Sequence, residues 1–306
     1  MYDLTVIGHL TIDFISRFGV RLRKSVGGPP FYCSLTARAL GAKVAVVSKT
    51  AVGEDLREFS SLLGNAGIST FILSGKATTT FEIDYRGEKR NLRLISRAEN
   101  ISINEVPSES LKASVVLLSP VAGELSLDFV KALPRYRESG CHLIAGDLQG
   151  FTRIFHKDGK MSFRRLEEDF FSLFDIIKGS EREVKAVTGC RSVEEALKQI
   201  TYFGPKIAIA TLGEKGALAL SEGLLFRVHP LRPESVVDTT GAGDAFIAAF
   251  LVGYAWSMSL EDCLKLACSA ATCTVERKLP LGGANKEYIV EKSKNVRVEK
   301  ISRFES

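Results

Sequence analysis

Apolar and polar positions change period in a regular way along this chain. Residues 2–8, YDLTVIG, form a short continuous apolar run closed by glycine, the pattern of a strand buried on both faces. Strand, helix and strand follow over 43–73 as AKVAVVSKT, GEDLREFSSLLGNAG and ISTFIL. A second such unit has VVLLS at 115–119, a helix over 124–138 and HLIAGD at 142–147. Alternation of this kind implies right-handed crossovers and a parallel sheet with helices on both faces, a doubly wound α/β body. Two stretches break the pattern. Residues 14–26 have no helical period, and residues 78–96 alternate apolar and polar around a turn at Arg86-Gly87. Together they predict a small β-sheet projecting from the body, with a generic surface hairpin as the alternative.

The later half reads the same way. FDIIKGSEREVKAVTG at 174–189 is a strand running into a helix capped by Ser180, with Glu183 three residues on, as in a capping box. KIAIATLGEKGALAL at 206–220 is strand, turn, strand, and helices are predicted over 244–257 and 259–276. Between them lies VVDTTGAGDAFIAAF at 236–250, in which two β-branched residues lead through a polar turn and two glycines into a small, apolar helix. That order predicts strand, glycine turn and helix start. Glycines let backbone N–H groups converge at the positive end of the helix, so the turn is built to hold an anion. Asp244 follows the last glycine, where it is either a helix cap or a base beside developing negative charge.

At 306 residues the chain is long enough for one large α/β domain, and its 25% charged content is ordinary for a soluble protein. The net charge of +5 is spread out with no run of like charges, which excludes a nucleic-acid partner from the expectation. The six cysteines show no CxxC pair and no histidine at metal-ligand spacing, so reduced, mostly buried thiols are expected. No apolar run reaches the ~18 residues of a membrane span and no leader-like segment opens the chain, so a cytoplasmic protein without a membrane partner is expected. The absence of GxGxxG after the first strand argues against a dinucleotide-dependent dehydrogenase.

The nine residues DTTGAGDAF resemble the signature of the ribokinase-like (pfkB) family of sugar, polyol and nucleoside kinases, and matching text runs through nearly the whole chain. The resemblance implies a single ribokinase-like domain over 1–306 with a β lid formed by about 14–26 and 78–97. It implies Asp244 as catalytic base, with Gly241, Ala242 and Gly243 supplying anion-hole amides. Asp13, a few residues past the first strand, and Gly27-Gly28, before the helix FYCSLTARALG, would bind the acceptor. Ser180 and Glu183 stand where the family has N-x-x-E, with Ser in place of Asn, so Glu183 would act on Mg²⁺ through water and Ser180 near the nucleotide. TLGEKGA resembles the nucleotide loop, placing Thr211 and Gly213 by ATP, with small residues such as Ala267, Ser269, Ala270 and Ala271 available to an adenine.

Tyr32 stands where ribokinases carry Asn, which counts against ribose and suits the wall of a ring-shaped polyol site. The stretch from Asp147 through Gln149, Arg153 and Phe155 to Gly159 resembles the D-x-Q-x-x-x-R-x-F text of myo-inositol kinases, and Gln149 and Arg153 can grip adjacent hydroxyls. The reaction implied is ATP-dependent phosphorylation of a cyclic polyol, myo-inositol first, with a sugar or nucleoside kinase and a non-catalytic ligand-binding member as alternatives. A monovalent cation near Asp238, and a monomer or a homodimer paired through its lids, are left open.

Overall fold

A computed structural model describes residues 1–86, 89–138, 140–156, 161–277 and 283–303. Its body is a ten-stranded sheet. From one edge, the parallel strands are Ser69–Gly75, Val44–Ala51, Tyr2–Ile7, Ala113–Leu118, Cys141–Asp147, Ile176–Ser180 and Ile207–Thr211. Three antiparallel strands, Ala217–Ser221, Leu224–Val228 and Val298–Arg303, complete it. The strand order reverses direction between Tyr2–Ile7 and Ala113–Leu118, so a crevice opens beyond their carboxyl ends, where such sheets bind ligands. One apolar core lies on each face. Helices Pro29–Ala39, Ala242–Ala255 and Leu260–Val275 cover one, and Leu127–Ala132, Glu181–Thr188 and Val193–Tyr202 the other.

The four ribbon strands form a separate sheet in the order Val20–Gly27, Thr11–Arg17, Thr79–Arg86, Lys89–Ser96. Each hairpin is antiparallel, and Thr11–Arg17 joins Thr79–Arg86 in parallel, so the expected lid is one sheet rather than two hairpins. Arg86 of the expected turn is described, and Gly87 lies outside the described residues. Phe155 leaves the body on a short strand pair, Arg153–Phe155 with Met161–Phe163, and packs on Phe81 of the lid at 5.6 Å. Gly159 of the polyol-like segment lies outside the described residues.

Two expectations are corrected. The helix over 124–138 is one helix only from Leu127 to Ala132, because Pro134 opens a tighter turn at 133–136. Ala267, Ser269 and Ala270 are fully buried and Ser269 donates to the Ile289 carbonyl, so they serve helix packing rather than an adenine. Among the described residues no helix is long and apolar enough to cross a membrane.

Candidate active site

Gly241 is the N-cap of helix Ala242–Ala255 and sits at φ 80°. A Cβ there would stand 2.2 Å from the Tyr32 ring, so backbone angle and neighbour both require glycine. Among the described residues the amides of Gly241, Gly243 and Asp244 make no backbone hydrogen bond, while that of Ala242 donates weakly to the Thr239 carbonyl at 3.3 Å. Three unpaired N–H groups at the positive end of a 14-residue helix make the expected anion-binding turn. The strand expected before it is absent. Val236 and Val237 are exposed, and the amides of Val237 and Asp238 donate to the Val275 carbonyl at the end of helix Leu260–Val275. The orphan carbonyl of a helix end captured a segment whose β-branched letters had no sheet edge to join.

Asp244 lies in the first turn of its helix with its carboxylate facing a cavity of about 240 Å³ between body and lid. Removal from water pushes its pKa up to about 6, the nearby Asp147 carboxylate adds to this, and Lys178 and Arg153 oppose it. Lys178 sits beneath the turn. Its Nζ donates to Asp147 Oδ2 at 2.9 Å and lies 3.1 Å from where a Cβ on Gly243 would be, so a side chain there would press on the ammonium. Burial opposes its charge, but Asp147, Glu183 and Asp244 together outweigh that and hold the ammonium protonated. Burial opposes the charge on Glu183, but Arg153, 3.4 Å away, Lys178 and the hydrogen bonds from Ser180 outweigh it and hold the carboxyl below its ordinary pKa. Three carboxylates and two cations thus share one patch, and of the carboxylates Asp244 lines the cavity.

Asp13, Gln149, Arg153 and Asp244 all line the cavity. Asp13 is fixed by Thr11, whose hydroxyl donates to it at 2.9 Å, and Gly27 passes so near that a Cβ would be 2.5 Å from Asp13 Oδ2. Gly28, at φ 91°, has the same closeness to the His9 carbonyl and caps helix Pro29–Ala39, whose Tyr32 faces the cavity. Apolar lining comes from Phe81, Ile83 and Leu92 of the lid, with Phe81 the cross-strand neighbour of Asp13, and from Val121 and Met161 of the body. Ser180, Glu183, Thr211 and Gly213 do not line this cavity. Ser180 pairs in register with Thr211 at the neighbouring strand ends, and Gly213 opens the next turn, so these four share the adjoining edge. Ser180 caps its helix, accepting from the Glu183 amide at 3.3 Å, while Glu183 accepts from the Ser180 amide at 2.8 Å.

Sequence reasoning passed over three residues. Lys178 carried a signal, a charge inside the otherwise apolar strand DIIKGS. Tyr32 was seen as a pocket wall but not as the ring packed on the turn glycine. Glu124 carried none. It is fully buried and accepts from the amides of His9, Val121 and Ala122 at 2.7, 3.0 and 2.8 Å, tying together the loops after two central strands.

Known proteins match this arrangement. The model of the pfkB family carbohydrate kinases matches residues 1–284. A cytidine kinase of Thermococcus kodakarensis is 31% identical over 273 residues, covering 87% of this chain and 93% of that protein. A solved pyrophosphate-dependent myo-inositol-1 kinase, converted by mutation into a myo-inositol-3 kinase, superposes with a TM-score of 0.80 at 28% identity over 95% of this chain and 98% of its own. A pyrophosphate-dependent kinase in the ribokinase family, complexed with a pyrophosphate analog and myo-inositol, gives 0.78 at 28% over 89% and 95%. With its doubly wound body, its β lid and this match over most of its length, the chain belongs to the pfkB family of carbohydrate kinases.

Proposed function

We propose that this protein transfers the γ-phosphoryl group of ATP to a hydroxyl of a cyclic polyol, myo-inositol before other acceptors. The observation that carries the reading is the cavity itself, which Asp13, Gln149 and Arg153 line together with Asp244 and with the apolar side chains of Phe81, Ile83 and Leu92. Carboxylate, amide and guanidinium can together accept from and donate to neighbouring ring hydroxyls, while the wall covers the C–H face of the ring. At about 240 Å³ the space falls below the ~300–1,000 Å³ common for drug-sized ligands, which favours a single ring.

In this reading Asp244 takes the proton of the attacking hydroxyl as its oxygen bonds to the γ-phosphorus and the bond to the β-phosphate oxygen breaks. The Gly241, Gly243 and Asp244 amides meet the negative charge that develops on the transferred group, and the expected Ala242 amide joins them only by giving up its weak bond to the Thr239 carbonyl. Thr211, Gly213 and Ser180 hold the nucleotide at the adjoining edge, and the lid keeps water from competing as acceptor. Among the described residues no three His, Cys, Asp or Glu side chains gather to hold a metal directly, and both Glu183 oxygens already accept chain donors. That fits a Mg²⁺ carried by the donor phosphates and reached by Glu183 through water. When bound, the ion would neutralise phosphate charge.

A second reading, a nucleoside kinase, is favoured by the cytidine kinase relative and by the apolar lid wall, against which a base could lie. The test is ADP release with ATP and Mg²⁺ across myo-inositol, ribose, fructose, cytidine, adenosine and no acceptor, with pyrophosphate as a parallel donor. Preference for myo-inositol upholds the first reading. Preference for cytidine or adenosine replaces it with the second, and phosphate release from pyrophosphate alone overturns the choice of ATP.

A further inference from the structure

Kinship with ribokinases raises the matter of a monovalent cation at Asp238, the residue that opens DTTGAGD. Among the described residues, the side chains around Asp238 do not fit one. Asp238 Oδ2 accepts from the Arg277 guanidinium, and Arg23 of the lid stands 3.8 Å from the same oxygen. Asp238 Oδ1 accepts from the Thr240 amide at 2.8 Å. A metal cation on this carboxylate would face two guanidinium groups. The need for positive charge is nonetheless plain, because Asp238 lies at the C-terminal, electronegative end of the 16-residue helix Leu260–Val275, its own amide bonded to the Val275 carbonyl.

A second observation concerns the backbone. Arg277 follows the helix cap Glu276 and sits at φ 59°, a left-handed conformation that is costly for any side chain but glycine. Helices commonly end this way with glycine. Here the position carries instead the arginine that reaches Asp238.

We infer that Arg277 is a built-in cation that takes the place of a monovalent metal ion, clamping the carboxylate that opens the anion-binding turn, with Arg23 adding charge from the lid. The turn is thereby held without a dissociable ion. Arg277 acts as a positioning residue, through Asp238 and the Thr240 amide, on the glycines that follow.

The inference rests on the kinase reading for its activity arm only, so its first test needs no substrate. Melting temperature is measured for the wild type, Arg277→Met and Arg277→Lys in about 0.1 M tetramethylammonium chloride or potassium chloride, at matched ionic strength. The wild type and Arg277→Lys are expected to melt alike in both salts. Arg277→Met is expected to melt lower in tetramethylammonium and to recover specifically in potassium. If kinase activity is found, wild-type kcat should change less than about twofold between the salts, and Arg277→Met should lose about tenfold and regain part of it with potassium. Potassium-specific stabilisation or activation of the wild type would overturn the inference. So would an Arg277→Met protein indifferent to potassium, whether active or not. Absence of activity in every salt with the melting pattern intact would count against the kinase reading and leave the clamp standing.

Discussion

Two parts of the cavity lining are built from different materials. Around the helix start at Gly241 the geometry is made by backbone, with a left-handed glycine, three amides without a backbone partner among the described residues and a helix terminus, under which charged side chains are buried and mutually held. On the lid it is made by side chains on one face of a twisted sheet, Phe81, Ile83 and Leu92, braced by Phe155 and otherwise open to change. Backbone chemistry tolerates almost no variation at fixed spacing, whereas a wall can change in small steps. On the proposed function, the helix-start turn would set reaction type and the lid wall acceptor choice.

Substitutions in each part test this division. Asp244→Asn should lower kcat about a hundred- to ten-thousand-fold with little change in acceptor KM, and full turnover in this variant would remove Asp244 from the chemistry. The same change should raise stability at neutral pH by roughly 1–3 kcal/mol. The native pKa near 6 lies above that of an unfolded aspartate, so folding favours the protonated form and stability falls as pH rises through about 6. A melting curve at pH 8 and at pH 4 checks this, since the gain should appear only at the higher pH. In the wild type, kcat/KM should fall about tenfold per unit below pH 6 and be flat above 7.

Lys178→Met leaves Asp147 buried without its partner and should cost about 3–5 kcal/mol in urea unfolding. Because Lys178 holds the Asp244 pKa down, the surviving activity should show its acid limb at higher pH. An unmoved limb would separate Lys178 from the base. Among the polar lining residues Gln149→Ala should raise acceptor KM about tenfold while leaving the donor KM and the acid limb unchanged. Ile83→Val, the mildest change, should alter the ratio between two acceptors by a few-fold at a stability cost of about 1 kcal/mol. A shift of the pH profile in either variant would show that the two parts are not separable.

What was legible in the sequence follows the same division. DTTGAGD could be read because the turn demands particular residues side by side, and the parallel body because apolar runs alternate with helical periods. The Lys178–Asp147 pair could not. The two residues are 31 positions apart and meet only through the register of neighbouring parallel strands, which single letters do not carry. Val236-Val237 misled because β-branching describes what a residue tolerates, and a helix end elsewhere in the chain made the better offer. Ala267, Ser269 and Ala270 misled in the other direction, since small residues serve packed helices and ligand pockets alike.

The contact between Tyr32 and Gly241 couples the two parts at one point. The ring that faces the acceptor also rests on the glycine that starts the anion-binding helix. Remodelling acceptor preference by replacing Tyr32 would disturb the packing that seats the catalytic turn, and randomised libraries that include position 32 should be dominated by dead clones. Libraries confined to Ile83 and Leu92 leave that contact alone, and offer the shorter route from this scaffold to a kinase for a different ring.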